Sequence, residues 1–377
     1  MFLVGKRMNM KVLGFLLSLF MFVSCAKREQ GNVPVVRFDL SEIQQMKQSD
    51  FIEDITLIPL ETNDSSLLKN PQDLSIHDDR FVVHDGRGYL FFFGLKGQFL
   101  SSTKHLQGVG PNTYQAGLGF TLLSNGEMEV FDALGYKLLV YDEDLKLRSV
   151  HKLPLDVLPA EGYLKINDDL RVFYNRDSDL KFYSLSKQNL IEKSSIPFRY
   201  RIMDIQNVHW QCNSDGIFYS GFYAQDILYS LNTDELVLEP YYKFDFGNNS
   251  FNVDDLPDGM DRKYYQSYIF NTSDKAFVAD KYVDDERKMC FFIYDKKLCF
   301  AYYNEETQIK RTYYNIFGEK GQLPKPLLYK DDIFYAVCEP SDLSFFVDES
   351  LLSLEEKEKM RNLREDDNPI VVCYKLK

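Results

Sequence analysis

This 377-residue sequence has few cysteines, few long apolar runs and no excess of basic residues. Six cysteines are present, but no Cys-x-x-Cys or Cys/His spacing suggests a zinc site. The five that follow Cys25 stand singly in apolar segments, which argues against a disulfide framework and predicts buried free thiols. The formal net charge of −13, without any basic aromatic stripe, argues against nucleic-acid binding.

The longest apolar run lies near the N-terminus. Three basic residues precede Val12–Val23, which is too short for a membrane-spanning helix of about 20 residues, so residues 1–24 are predicted to be a signal peptide. Cys25 follows a small residue at the end of this run, as in the bacterial lipobox. That likeness implies a lipid on Cys25 that holds the chain to a membrane, and the alternative is ordinary cleavage that leaves a free thiol. Residues 25–50 are interpreted as a tether and lead-in.

Four short apolar segments separated by turn residues form a unit that repeats along the chain. The polar turn after the second segment recurs at intervals of about 43 to 47 residues and once at about 59, at Asp85, Asp132, Asn175, Gly221 and Asp280. This period is typical of four-stranded propeller blades, and the aromatic content of 15% favours strands. The fifth unit is assigned to the segments Tyr264–Phe270, Ala276–Ala279, Lys288–Tyr294 and Leu298–Tyr303.

The sixth unit has three strand segments in sequence order, ending with Pro369–Leu376, and is one strand short. Phe51–Leu60 supplies an apolar alternation that would complete this blade and close the ring without an open edge. We therefore predict an all-β fold, a six-bladed β-propeller with four-stranded blades over residues 51–377. A charged stretch with helical spacing predicts a helical insertion at about 350–364 in blade six.

Three segments resemble the six-bladed, NHL-like β-propeller lipoproteins of Bacteroidota, a family of uncharacterised function. They are Ile58–Thr62, Gly108–Pro111 with Tyr114, and Asp367–Val372. The resemblance covers about residues 50–377, although this chain has Asn112 and Thr113 where family members often have Gly-Glu. It implies a propeller lipoprotein of the cell envelope, at the outer membrane, with its periplasmic or surface exposure left open. It implies no catalytic residues.

No motif of a hydrolase, metalloprotease or nucleotide-binding loop occurs, and no catalytic residue, metal or cofactor is predicted. His84 is interpreted as a turn residue or a ligand contact, and the acidic segment Asp254–Asp261 as a solvated loop or a calcium loop. The connections after the second strands should share one face of the propeller. Their candidate ligand contacts are Asp85, Arg87, Asp132, Tyr136, Arg176, Asp177, Tyr223, Gln225, Lys281 and Tyr282.

These observations favour a monomeric, lipid-anchored, non-catalytic binding module whose ligand is a glycan or an envelope protein. One alternative is a glycan hydrolase or lyase that uses carboxylates at the channel mouth. Another is a structural subunit of an envelope complex that makes contact through the helix predicted at Leu351–Leu363.

Overall fold

The computed structural model describes residues 33–77, 79–123, 125–158, 160, 162–174, 179–195, 210–213, 216–220, 226–252, 262–316 and 318–377. These residues form six sheets, four with four strands and two with five. In five sheets the four core strands follow one another along the chain, and the sixth takes its outer strand from the N-terminal region. The six-bladed β-propeller predicted from the sequence is therefore confirmed.

The strands are numbered along the chain, and three of them precede the first blade: β1 (Val35–Arg37), β2 (Gln44–Gln45) and β3 (Ile52–Pro59). Blades one to three contain β4 (Pro71–His77), β5 (Arg80–Asp85), β6 (Tyr89–Gly94), β7 (Phe99–Ser102); β8 (Gly117–Leu122), β9 (Met128–Asp132), β10 (Lys137–Tyr141), β11 (Leu147–Lys152); and β12 (Gly162–Lys165), β13 (Leu170–Tyr174), β14 (Asp179–Ser184), β15 (Asn189–Ser195). Blades four to six contain β16 (Trp210–Asn213), β17 (Gly216–Tyr219), β18 (Ile227–Asn232), β19 (Val237–Asp245); β20 (Phe277–Val283), β21 (Arg287–Tyr294), β22 (Lys297–Asn304), β23 (Lys310–Tyr314); and β24 (Leu328–Lys330), β25 (Ile333–Cys338), β26 (Ile370–Leu376).

Helices occur only in the connections of the described chain. They are α1 (Arg262–Asn271), α2 (Leu343–Phe346) and α3 (Leu354–Asn362), with short 3₁₀ turns at Leu40–Glu42, Gln48–Asp50, Lys104–Leu106, Gly247–Asn249, Pro340–Asp342 and Glu349–Leu351. Within the described residues, none of these helices has the length and apolar character needed to cross a bilayer.

The apolar run of β6 packs blade one against both of its neighbours. Phe91 and Phe93 are buried in a cluster shared with blade six. Leu90 and Phe92 are buried on the opposite side of the same sheet, in a cluster shared with blade two. A strand with both faces buried reads as a continuous apolar run because successive side chains point to opposite faces. Burial of each such side chain stabilises the fold by about 1.5–3 kcal/mol.

Blade six is completed by β3, as the sequence predicted. The strand pairs antiparallel with β26 from Ile370↔Pro59 to Leu376↔Ile52. Ile52, Ile55 and Leu57 are buried in the core of this blade. The N-terminal and C-terminal parts of the domain are thus hydrogen-bonded within one sheet, which leaves no gap between the first and last blades.

The segment before β3 also adds strands to two further blades. β1 pairs in parallel with β19 at the outer edge of blade four, and β2 pairs in parallel with β23 at the outer edge of blade five. Residues 35–59, here called the belt, therefore contribute to the outer edges of three consecutive blades. From the sequence, residues 25–50 are expected to be a tether and lead-in, so β1 and β2 are strands that the sequence pattern does not predict.

Helix α3 covers the outer edge of β3 and lies within the insertion predicted at about 350–364. The buried Glu356 carboxylate accepts a hydrogen bond from the Leu57 N–H at 2.7 Å, and Lys359 Nζ donates to the Leu57 carbonyl at 3.4 Å. Lys359 also donates to Glu356 at 2.7 Å. These two side chains satisfy the backbone groups of an edge strand that would otherwise be open to pairing.

The predicted strand assignment in blade five is wrong by one strand. Residues 264–270 were expected to be the first strand, but they lie in helix α1. The first strand is instead β20, which begins where the second had been expected. A short aromatic segment fits a strand or a helix equally well, and here the long connection from blade four accommodates a helix.

The cysteine prediction is confirmed for four of the five described thiols. Cys290, Cys299, Cys338 and Cys373 are free and buried, and burial raises the pKa of each thiol. Cys212 is also free but is exposed, so the expectation of burial fails there.

A buried ion pair joins blades two and three. Arg171 on β13 donates to both carboxylate oxygens of Glu129 on β9, at 2.6 and 2.7 Å. Both side chains are almost fully buried. Arg171 also donates to the Asn167 carbonyl at 2.5 Å, so most of its donors are satisfied inside the protein.

Candidate functional site

The first predicted ligand contact, Asp85, stabilises the turn that follows β5. Its side chain is fully buried and accepts hydrogen bonds from the Lys69 N–H at 2.8 Å and the Arg87 N–H at 3.0 Å. Arg87 adds two further bonds at 2.6 and 2.7 Å. Burial acts to raise the pKa of Asp85, but the Arg87 guanidinium and the N–H donors outweigh it and lower the pKa to about 2. Asp85 and Arg87 therefore hold this turn to the loop that leads into β4.

Asp132 has the equivalent position and role in blade two. It is buried, and its Oδ1 accepts from the N–H groups of Ala116 and Gly135, both at 3.1 Å. Its Oδ2 lies 3.8 Å from Lys137 Nζ. A Cβ atom at Gly135 would come within 2.1 Å of Oδ2, so the turn needs glycine next to this carboxylate. These contacts give both aspartates a structural role.

Two other predicted contacts lie on a strand. Because the blade-five assignment was shifted, Lys281 and Tyr282 belong to β20 and both side chains are buried. Burial lowers the pKa of Lys281 to about 8, against the opposing effect of Asp280. Tyr282 donates to the Pro326 carbonyl at 3.1 Å. The turn after the second strand of blade five is instead Asp295–Lys296, where both residues have positive φ.

The remaining predicted residues divide into one exposed side chain and a group that falls outside the described residues. Tyr136 is half-exposed at the end of the β9–β10 turn, with φ +53°. The predictions that lie outside the described residues are Cys25, the acidic segment Asp254–Asp261, Arg176, Asp177, Tyr223 and Gln225.

His84 lies on strand β5, and its interpretation as a turn residue or a ligand contact stays open. Its ring packs 5.1 Å from that of Phe120. Burial lowers the pKa of His84, against the opposing effect of Asp85. Within the described part of the chain, no three His, Cys, Asp or Glu side chains are grouped so that they could hold a metal ion.

Exposed apolar side chains on the loops are the feature that sequence reasoning missed. Among the described residues, the five most exposed large apolar side chains are Val109 (88%), Leu354 (86%), Leu155 (76%), Leu134 (64%) and Tyr264 (58%). Each lies in a connection that follows the second or the fourth strand of a blade. Since the strands of a blade alternate in direction, all of these connections leave the same face of the propeller.

Val109, Leu134, Tyr136 and Leu155 lie on three neighbouring connections of this face, and we call them the apolar loop cluster. Backbone hydrogen bonds join the three connections: Ala133 N–H to the Ala116 carbonyl at 3.3 Å, and Leu153 N–H to the Tyr136 carbonyl at 2.8 Å. Lys137 Nζ adds a bond to the Thr113 carbonyl at 2.9 Å. The cluster is therefore supported by ordered backbone.

The Val109 loop is itself tightly closed. Gly108 N–H donates to the Tyr114 carbonyl at 2.8 Å, and Tyr114 N–H donates to the Leu106 carbonyl at 3.0 Å. The Tyr114 ring is buried beneath the loop, where its hydroxyl bonds Thr103 Oγ1 at 2.7 Å. The available sequence signal was an apolar residue inside a turn: Val109 between glycines and Leu134 between alanine and glycine.

One comparison with a solved structure agrees with this architecture. A candidate exported protein of Bacteroides fragilis aligns with a TM-score of 0.70 at 17% identity, over 91% of this chain and 99% of that chain. At this identity the likeness concerns the fold alone. A member of the DUF4221 family from Bacteroides vulgatus aligns with a TM-score of 0.48 at 12% identity, over 88% and 99% of the two chains. No curated protein matches the sequence significantly. A family profile described as a domain of unknown function (DUF4934) matches residues 33–375, and the chain belongs to that family.

Proposed function

We propose that this protein is an exported propeller that binds another protein through the apolar loop cluster. The observation that carries the proposal is that three of the five most exposed large apolar side chains of the described residues lie, together with the half-exposed Tyr136, on three joined loops of one face. Exposed apolar groups ringed by polar residues are typical of sites that bind proteins or membranes. The net charge of −13 disfavours an anionic membrane surface and leaves a protein as the favoured partner.

A glycan ligand has less support. Sugar hydroxyls need polar side chains with hydrogen-bonding capacity to spare. In blades one and two Asp85 and Arg87 are bonded to each other, and Asp132 bonds two backbone N–H groups. The same contacts weaken the hydrolase or lyase alternative. The structural-subunit alternative keeps the exposed side of α3, which includes Leu354, and loses the side on which Glu356 and Lys359 bind β3.

Site-specific photo-crosslinking in cells of the native host tests the protein-binding proposal. A photoreactive phenylalanine replaces Leu134 or Leu155, and Leu95, an exposed leucine in the turn that follows the third strand of blade one on the opposite face, is the matched control. We expect one discrete adduct from both cluster positions and none from Leu95. In reconstitution with the partner identified, Leu134→Asp should weaken binding about 10- to 100-fold, because it buries a charge in the contact. An adduct that forms equally from Leu95, or no adduct from either cluster position, would contradict the proposal.

In this proposal the chain is exported and held to the outer membrane by a lipid on Cys25. The support is the basic and apolar N-terminal pattern together with the small residue before Cys25. Labelled palmitate should enter the full-length protein and should be absent from the Cys25→Ala variant. Equal labelling of the two proteins would exclude a lipid at this residue, and would leave the protein-binding proposal intact.

A further inference from the structure

The outer edges of the blades are covered unequally. The belt adds β1 to blade four and β2 to blade five, and α3 covers β3 of blade six. On blade two, β11 is the outermost strand, and in the described part of the chain no hydrogen bond reaches its outward backbone groups. An unpaired strand edge of this kind can accept a strand from another chain.

The pairing of β10 with β11 shows which groups point outward. Leu153 N–H donates to the Tyr136 carbonyl at 2.8 Å, and the register places Leu138 opposite His151 and Leu139 opposite Val150. In an antiparallel ladder the hydrogen-bonded pairs alternate with pairs whose backbone groups point away from each other. Val150 and Lys152 therefore turn their N–H and C=O groups to the open side. Their side chains are exposed as well, Val150 by 41%.

Blade four shows what occupies such an edge in this fold. Val35 of β1 lies opposite Lys243, and Arg37 lies opposite Asp245, the last residue of the outer strand β19. Arg37 Nε donates to Asp245 Oδ2 at 2.7 Å. Lys152 is likewise the last residue of the outer strand of its blade, with the opposite charge. It has no ion-pair partner within the described chain, whereas the neighbouring Arg148 and Lys146 are paired with Asp142 and Asp144.

We propose that the outer edge of blade two binds an extended segment of another protein by parallel strand addition to β11. The segment carries an apolar residue opposite Val150 and an acidic residue opposite Lys152. This pairing resembles that of β1 with β19 on blade four. There the added strand carries the basic residue and the blade the acidic one, whereas here the blade carries the basic residue and the added segment the acidic one. This edge adjoins the apolar loop cluster, since Lys152 lies three residues before Leu155, but it would bind through strand backbone groups and not through exposed apolar side chains.

Two nine-residue peptides test the proposal on the full chain. One has the sequence of residues 32–40, and the other has glutamate in place of its arginine. Binding is followed through the backbone amide signals of Val150 and Lys152 in the ¹⁵N-labelled protein. The glutamate peptide should shift both signals and bind about tenfold more tightly than the arginine peptide, and Lys152→Asp should reverse that preference.

Val150→Pro removes an outward N–H and should abolish the shift at Lys152, whereas Val150→Thr retains that donor and should preserve it. Thermal melting checks that both variants remain folded. The proposal is overturned if neither peptide shifts these amides at millimolar concentration, or if the two peptides bind wild type and Lys152→Asp alike. Failure here would not affect the loop-cluster proposal, whose test uses positions on the propeller face.

Discussion

Arg171→Ala should lower the free energy of unfolding by about 3–5 kcal/mol, because it leaves the Glu129 carboxylate charged and unpaired between blades two and three. Both side chains are almost fully buried and share two hydrogen bonds at 2.6 and 2.7 Å. The backbone carbonyl of Asn167 also loses a donor. Urea denaturation of wild type and variant, followed by tyrosine fluorescence, measures the difference.

Arg148→Ala is the matched control for this prediction. Arg148 forms an ion pair with Asp142 at 3.0 Å while largely exposed, and its loss should cost less than about 1 kcal/mol. The double variant Glu129→Leu/Arg171→Met should recover most of the lost stability, because well-packed apolar side chains replace the buried charges. Equal effects of Arg171→Ala and Arg148→Ala would show that the buried pair contributes no special stability.

Removal of residues 51–60 should prevent cooperative folding altogether. The deletion takes away the outer strand of blade six, which pairs with β26 over Ile370↔Pro59 to Leu376↔Ile52. It also exposes the apolar surface that Ile52, Ile55 and Leu57 cover. We expect the truncated chain to be insoluble, or to show no sharp thermal transition by circular dichroism.

A point substitution in β3 tests the closure of the ring without shortening the chain. Leu57→Ala should destabilise the protein by about 2–5 kcal/mol, the range for a buried leucine replaced by alanine. Val35→Ala changes a half-exposed belt residue on β1 and should be nearly neutral. A soluble 51–60 deletion that melts cooperatively near the wild-type temperature would refute the role of β3 in closing the ring.

Much of the scaffold was predictable from local patterns. Repeated apolar segments with polar turns predicted the blades, and the unpaired alternation at Phe51–Leu60 predicted the closing strand. The same patterns failed at residues 264–270, where a short aromatic segment is compatible with either a strand or a helix. They also missed β1 and β2, because strands of two or three residues have too few positions to show a period.

The candidate site was much less predictable. Asp85 and Asp132 have the residue type and the position in the blade that are expected of ligand contacts. Their carboxylate oxygens instead accept hydrogen bonds from backbone N–H groups of the loops that precede β4 and β8. Val109, Leu134 and Leu155 lie in three different connections about 20 to 25 residues apart, so no short sequence window groups them. Hydrogen bonds between residues far apart in sequence join the three connections that carry them.

The sequence by itself determined the number of blades, the order of most strands and the closure of the ring, since these depend on the periodicity of apolar residues along the chain. The tertiary structure alone decided which turn residues are buried, which loops adjoin each other and which outer edges stay uncovered. Those properties depend on contacts between residues far apart in sequence. Tyr114 is thus buried beneath its loop, whereas Tyr136 on the neighbouring loop is half-exposed.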